Sequence, residues 1–159
     1  MKSNTYKKYL ALFDLDGTLF DTKDVNYLAY KEAVENFGYS IEYKYFCDFC
    51  NGRYYTEFLS KITTSDEKIL LEIHNMKKNV YSKYLSHARP NKYLFELIDN
   101  IRKNYYTGLV TTASKKNTEE ILTEFKVRGC FDLIITREDI EHVKPNPEGF
   151  LKAMEHFNI

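Results

Sequence analysis

The sequence predicts an α/β fold, a parallel sheet with helices on both faces and one inserted α-helical segment. Three apolar runs of strand length occur at residues 9–13, 105–110 and 131–135. Segments with helically spaced apolar residues separate these runs, and strands that alternate with helices are typical of parallel sheets. Ligands of such sheets bind beyond the carboxyl ends of the strands, so we expect the functional residues there.

The first run, Tyr9–Phe13, ends at acidic residues and is predicted to be a strand buried on both faces. A mostly helical block follows it, with Gly38 as a helix stop. Its predicted helices lie at residues 24–37, 54–62 and 66–85.

The second half of the chain is predicted to alternate between helices and strands. A helix at 92–102 precedes the strand at 105–110, and the next helix begins at Ser114 or Asn117, both of which suit an N-cap. The run at 131–135 is the third predicted strand.

Composition excludes some classes of function. The 159 residues contain 23 Lys plus Arg and 23 Asp plus Glu, so the overall charge favours neither nucleic acid nor an anionic membrane as a partner. The basic segment 1–8 is followed by an apolar run too short for a signal peptide or a membrane span. Three cysteines make a disulfide framework improbable, and we expect a cytoplasmic protein.

Two aspartates mark the end of the first predicted strand. Asp14 and Asp16 are two residues apart, which directs both carboxylates to one side in extended geometry, and Gly17 allows a sharp turn. An aspartate can attack phosphorus, a second carboxylate can act as acid and base, and Mg²⁺ prefers such oxygen ligands. The alternatives are a simple turn cap or a calcium loop, although Thr18-Leu19-Phe20 does not continue a calcium-loop pattern.

The run Phe13-Asp14-Leu15-Asp16-Gly17-Thr18-Leu19-Phe20-Asp21-Thr22 resembles the first signature of the haloacid dehalogenase superfamily. The resemblance is to the branch of phosphoglycolate phosphatase-like and β-phosphoglucomutase-like enzymes. The phosphotransferases of this superfamily carry the second aspartate of the signature, whereas its dehalogenases lack it. The presence of Asp16 therefore resembles the phosphotransferases. The resemblance implies a Rossmann-like core.

Two further segments resemble the second and third signatures. Leu109-Val110-Thr111-Thr112-Ala113-Ser114 is similar to a strand that ends in a phosphate-binding hydroxyl, and either Thr111 or Thr112 matches, with Thr111 favoured. Hydroxyls, backbone N–H groups and a helix N-terminus all favour an anion. Lys144, before Pro145, resembles the lysine of the third signature, a compact positive charge for a carboxylate or phosphate.

The resemblance implies a Mg²⁺-dependent phosphoric monoester hydrolase that forms an aspartyl-phosphate and acts on a small phosphorylated metabolite. It assigns the catalytic roles to Asp14, Asp16, Thr111 and Lys144, and the metal to Asp14 and Asp16. The residues expected to contact substrate are Gly17, Thr18, Thr112, Ala113 and Arg53. Residues 1–19 and 86–159 would form the core, and residues 20–85 an α-helical cap.

The sequence departs from the family pattern near its end. Enzymes of this branch continue to a further strand and an acidic fourth signature, whereas this sequence stops at Ile159, so we expect the C-terminal strands to be absent and the metal site to be depleted. Two alternative functions stay open: an intramolecular phosphomutase, and a truncated non-catalytic homologue that binds phosphate or a protein. We expect a monomer or a weak homodimer.

Overall fold

The structure, a computed structural model, describes residues 7–159. Most of the basic segment 1–8 therefore lies outside the described residues. The described chain divides into two compact units. Unit one contains residues 7–20 and 90–159, and unit two contains Asp21–Arg89. The boundaries expected from the sequence, after residues 19 and 85, lie close to these.

The described residues form five strands and seven α-helices. The strands are β1 (Tyr9–Phe13), β2 (Phe20–Asp21), β3 (Arg89–Pro90), β4 (Tyr105–Val110) and β5 (Leu133–Ile135). The helices are α1 (Lys23–Glu35), α2 (Tyr43–Phe49), α3 (Tyr55–Ile62), α4 (Glu67–Val80), α5 (Lys92–Ile101), α6 (Lys115–Glu124) and α7 (Glu148–Phe157).

Unit one is built on a three-stranded sheet in the order β1-β4-β5, and both pairings are parallel. The register places Phe13 beside Leu109 and Leu109 beside Ile134. This arrangement confirms the predicted parallel sheet. It also brings the residue that follows β1, Asp14, next to the carboxyl end of β4.

Three predicted elements differ from the observed ones. β1 is half-buried rather than buried on both faces: Tyr9 is exposed and the residues after it are partly buried. The predicted helix at 66–85 ends at Val80 and continues as a 3₁₀ helix at Tyr81–His87. β5 begins at Leu133 rather than at 131, because the Asp132 side chain accepts a hydrogen bond from the Thr107 backbone N–H (2.9 Å).

Helix α7 packs closely on the sheet near the end of β4. Val110, Ile135, Ile140 and Ala153 form a buried apolar cluster there. A Cβ added at Gly149, in the first turn of α7, would lie 2.7 Å from Val110 Cγ1, so only a glycine allows this approach. The start of α7 is therefore held against the strand that ends at the candidate site.

Unit two consists of α1 to α4 and the 3₁₀ helix around an aromatic-rich core. Its buried members include Phe46, Phe58, Leu59 and Ile73, and several tyrosines pack against them. None of the helices in the described part of the chain combines the length and the apolar character needed to cross a bilayer.

Candidate active site

The two aspartates flank a buried leucine at the end of β1. Leu15 is 1% exposed and anchors the turn in the core, while Asp14 is half-buried and Asp16 is exposed. The chain turns directly after β1, because the Leu15 carbonyl accepts hydrogen bonds from the N–H groups of Leu19 (3.1 Å) and Phe20 (3.0 Å). The structure therefore keeps both carboxylates out of the core, where they are accessible to a ligand.

The turn after Asp16 depends on the backbone conformation of Gly17. Its φ is +73°, in the left-handed region that glycine adopts without strain, and no atom lies within 4 Å of a Cβ built on it. Its N–H donates to the Phe20 carbonyl (2.8 Å), and the Thr18 carbonyl accepts from Asn91 Nδ2 (3.3 Å). Gly17 and Thr18 thus form an ordered turn that is open on the Gly17 side.

Lys144 connects the ends of β1 and β4. Its Nζ donates to Asp14 Oδ1 (2.6 Å) and to the Val110 carbonyl (2.8 Å). The two charged side chains are 28% and 39% exposed, so water screens this pair less than it screens a surface pair. Two residues 130 positions apart in the sequence, both proposed from sequence signatures, are therefore brought into direct contact.

The two threonines after β4 differ in their surroundings. Thr111 is 1% exposed, and its N–H donates to the Ile135 carbonyl (2.9 Å). Its Oγ1 accepts the Ala113 N–H (3.0 Å), which leaves the hydroxyl proton available as a donor. Thr112 is exposed. The Ala113 N–H is thus bound within the turn. Which of the two threonines contacts phosphate stays a prediction.

Helix α6 begins directly after these threonines. Ser114 is its N-cap, and its side chain accepts the Asn117 N–H (3.3 Å). The positive end of this helix therefore lies beside Thr111 and Thr112, and it favours an anion there. Of the two predicted caps, Ser114 is confirmed, and Asn117 lies within the first turn of the helix.

The donor set suits a hard cation that keeps most of its water. Among the described residues, no group of three or more acidic, His or Cys side chains could hold a metal ion by itself. Mg²⁺ is commonly held by one or two carboxylates together with water and substrate phosphate. The Asp14 carboxylate and the Asp16 backbone carbonyl can supply oxygen ligands of this kind, although Lys144 engages Asp14 Oδ1. The residues present therefore fit Mg²⁺ as a partly hydrated ion.

Arg53, the remaining sequence-predicted contact, lies in unit two. It is exposed, follows α2, and its N–H donates to the Cys50 carbonyl (3.1 Å) after the positive-φ residue Gly52. Its contact with substrate stays a prediction.

Glu148 has more contacts than its sequence position indicated. In the sequence it is an acidic residue that follows Pro147, a pair that suits the first turn of a helix and indicates nothing more. In the structure its carboxylate accepts hydrogen bonds from the backbone of residues 141 and 142, in the segment that carries Lys144. Its spacing from Lys144 was the available signal, but spacing alone does not show which backbone groups a carboxylate reaches.

Comparison with known proteins gives consistent results. The sequence model of the family described as haloacid dehalogenase-like hydrolase matches residues 11–159. Pyrophosphatase PpaX of Bacillus mycoides (strain KBAB4) is 30% identical over 158 residues, which cover 98% of this chain and 69% of that protein.

Solved structures agree with the fold. A predicted phosphoglycolate phosphatase from Haemophilus somnus 129PT superposes with a TM-score of 0.82 at 18% identity, covering 98% of this chain and 74% of that one. CbbY from Rhodobacter sphaeroides, solved with phosphate, gives 0.78 at 20% identity, covering 93% and 72%. At these identities the likeness concerns the fold. Together with the family match, it confirms the resemblance carried by the three signatures: the chain belongs to the haloacid dehalogenase-like hydrolase family.

Proposed function

We propose that this protein hydrolyses a small phosphoric monoester through an aspartyl-phosphate on Asp14. The observation that carries the proposal is the contact between Lys144 Nζ and Asp14 Oδ1 (2.6 Å) at the adjoining ends of β1 and β4. A simple turn cap would not need a lysine from a distant segment. Membership of a hydrolase family that includes a pyrophosphatase relative supports phosphoester chemistry.

The proposed reaction has two steps. The Asp14 carboxylate attacks phosphorus, the bond to the leaving oxygen breaks, and Asp16 gives that oxygen a proton. Water then attacks the phosphorus of the aspartyl-phosphate and returns a proton to Asp16, which releases phosphate and restores Asp14. Covalent catalysis divides one difficult displacement into two easier ones.

Two residues hold the phosphoryl group in this proposal. Lys144 orients Asp14 by binding Oδ1 and offers positive charge where negative charge accumulates. The Thr111 hydroxyl donates a hydrogen bond to a phosphoryl oxygen, and the N-terminus of α6 contributes a positive potential that favours the anion. Gly17, Thr18, Thr112 and Ala113 border the same turns.

We also propose Mg²⁺ as the cofactor. The Asp14 carboxylate and the Asp16 backbone carbonyl would hold it, and the ion would supply the charge neutralisation that attack of an anion on an anion requires.

Unit two, inserted between the first two signatures, is proposed to be a cap that excludes water and selects the substrate. Arg53 is its proposed contact with substrate. CbbY, which shares the fold, was solved with phosphate, and this supports a phosphorylated small molecule as the substrate class.

The test is turnover of p-nitrophenyl phosphate by the wild type and by Asp14→Asn, with Mg²⁺ and with EDTA. Loss of the nucleophile should lower kcat by at least about a thousandfold, because the covalent route is closed. The matched control is Asp99→Asn, which removes an exposed carboxylate of unit one and should retain activity. Retained activity in Asp14→Asn, or no turnover by the wild type, would refute the proposal.

Hexose phosphates distinguish a hydrolase from a mutase. A hydrolase releases inorganic phosphate, whereas an intramolecular phosphomutase conserves total ester phosphate. Phosphate release that matches substrate consumption is the expected result.

A further inference from the structure

Glu148 closes the loop of residues 141–147, which carries Lys144 and precedes α7. Its Oε1 accepts the backbone N–H of Glu141 (3.0 Å), and its Oε2 accepts the backbone N–H of His142 (2.8 Å). The His142 ring Nδ1 lies 3.1 Å from the same Oε2. One carboxylate at the C-terminal end of the loop therefore holds the loop's N-terminal end.

Lys152, one helical turn further along α7, supports this carboxylate. Its Nζ lies 2.7 Å from Glu148 Oε1 and donates to the Asp139 carbonyl (2.8 Å). The hydrogen bond from Lys152, followed by the two from the backbone of Glu141 and His142, lowers the pKa of Glu148 to about 2. The carboxylate is thus ionised at any pH at which the enzyme would work, and its hydrogen bonds are charge-assisted.

The C-terminal end of the same loop is also ordered. Asn146 Oδ1 accepts the Glu148 backbone N–H (3.0 Å), and the Asn146 N–H donates to the Val143 carbonyl (3.0 Å). The next residue, Gly149, packs against Val110, whose carbonyl accepts a hydrogen bond from Lys144. The loop is therefore fixed at both ends against the strand that its lysine must reach.

A long lysine side chain loses considerable conformational freedom when its ammonium is held at one point. If the loop were mobile, its backbone would also lose conformational freedom when the ammonium is held. Lys144 would then occupy its bonded position for a smaller fraction of the time. Closing the loop lowers this cost before substrate arrives, which is the effect that preorganised catalytic groups require.

We propose that Glu148 is the positioning residue for Lys144. This inference rests on the proposed function, because it assumes that the position of Lys144 matters for phosphoryl transfer. Glu148 makes no contact with the reacting atoms in the proposal and acts through the loop alone.

The first measurement follows Lys144 directly and needs no activity. Trace labelling with acetic anhydride and peptide mass spectrometry give the acetylation rate of Lys144 relative to Lys103, an exposed lysine of unit one. In the wild type the Lys144 ammonium donates to two oxygens and should react slowly. Glu148→Ala should raise the Lys144 to Lys103 ratio several-fold, and Glu148→Gln, which keeps one acceptor oxygen, should raise it less.

The second measurement is kinetic. Glu148→Ala should lower kcat for p-nitrophenyl phosphate by about tenfold to a hundredfold, with a smaller change in KM, because displacement of a charge-stabilising group acts mainly in the transition state. Glu148→Gln should recover part of the loss. The matched control is Glu155→Gln, the same change at an exposed position of α7, which should leave both readouts unchanged.

The outcomes separate the two proposals. An unchanged Lys144 to Lys103 ratio in folded Glu148→Ala overturns the positioning role, whatever the activity. If circular dichroism shows that the alanine variant is unfolded, the same comparison is made with Glu148→Gln. Absence of turnover in the wild type contradicts the proposed function, while the labelling ratio still decides the role of Glu148.

Discussion

Unit one and unit two use their polar side chains in opposite ways. In unit one, charged groups lie where strands and helices end, and they bind one another and the backbone at partly exposed positions, as Lys144 does with Asp14. In unit two, the polar group at Tyr30, His74 and Lys77 is instead enclosed by aromatic rings. The candidate site of unit one thus keeps charge available for chemistry, whereas this group of unit two is accommodated inside a core.

The Tyr30 and His74 pair shows the second pattern. Tyr30 is 7% exposed, and its hydroxyl lies 3.0 Å from His74 Nδ1. The His74 ring stacks on Tyr55 with 4.1 Å between ring centroids. Burial disfavours the charged imidazole, with a smaller contribution from Lys77 and Lys78, and lowers the pKa of His74 to about 3. His74 is therefore neutral in the folded protein near neutral pH.

Lys77 shows that a charge can also be enclosed in this unit. The residue is 8% exposed, and its Nζ lies 4.6 Å from the centroid of the Tyr81 ring and 5.3 Å from that of Tyr30. Aromatic faces attract a cation, so these rings compensate part of the lost hydration. The lesson is that charged side chains meet at strand ends in the candidate site of unit one, whereas His74 and Lys77 of unit two are accommodated by packing against aromatic rings.

The largest expected effect that would sharpen this comparison is that of Lys144→Met in unit one. Methionine keeps most of the length and removes the charge, so kcat/KM for a phosphate ester should fall by about a hundredfold to a thousandfold, while the thermal midpoint changes little. Steady-state kinetics and thermal unfolding measure both. A loss of stability without a loss of turnover would show that the lysine serves the fold instead.

In unit two the expected effect concerns stability. The folded-state pKa of His74 is depressed, so below about pH 6.5 the unfolded chain binds a proton that the folded one does not, and stability falls until about pH 3. Between pH 7 and pH 5 the loss should be about 2 kcal/mol. His74→Phe, which keeps a ring against Tyr55, should reduce this loss.

Urea unfolding at pH 7 and pH 5 measures this loss of stability, and hydrogen exchange of the α4 amides localises it. His87→Phe is the control, since His87 is exposed and its replacement should leave the pH dependence intact. An equal pH dependence in the wild type and in His74→Phe would contradict the assignment.

The smallest expected effect separates the two threonines. Thr111→Val keeps the shape and removes the hydroxyl, and it should lower kcat/KM by about tenfold, the value of one hydrogen bond to a charged group. Thr112→Val should stay near the wild type. The reverse order in the same phosphate-ester assay would assign the phosphoryl contact to Thr112.

Much of the fold could be predicted because it depends on local pattern. The observed bounds of β1 and β4 are those of the apolar runs Tyr9–Phe13 and Tyr105–Val110. Short continuous apolar runs that end at polar turns are typical of buried strands. The beginning of β5 was less predictable. At Asp132 the backbone N–H still donates to the Thr107 carbonyl, but the Thr107 N–H is bound by the Asp132 side chain, and this exchange depends on a contact between distant segments.

The candidate site divides in the same way. Asp14, Asp16 and Gly17 are adjacent in sequence, so their order and the turn at Gly17 follow from residue type and backbone preference. The role of Glu148 could not be predicted, because four hydrogen bonds converge on it from groups whose positions depend on how the loop folds back.

By itself, the sequence determined the strand ends, the aspartate pair and the three signatures that place the chain in its family, because these are properties of neighbouring residues. Only the tertiary structure decided that Lys144 reaches both Asp14 and Val110 and that Glu148 holds the lysine loop. The physical reason is that the parallel pairing of β1 with β4 and the packing of α7 on β4 join segments that are far apart in the sequence, and local propensity carries no information about such contacts.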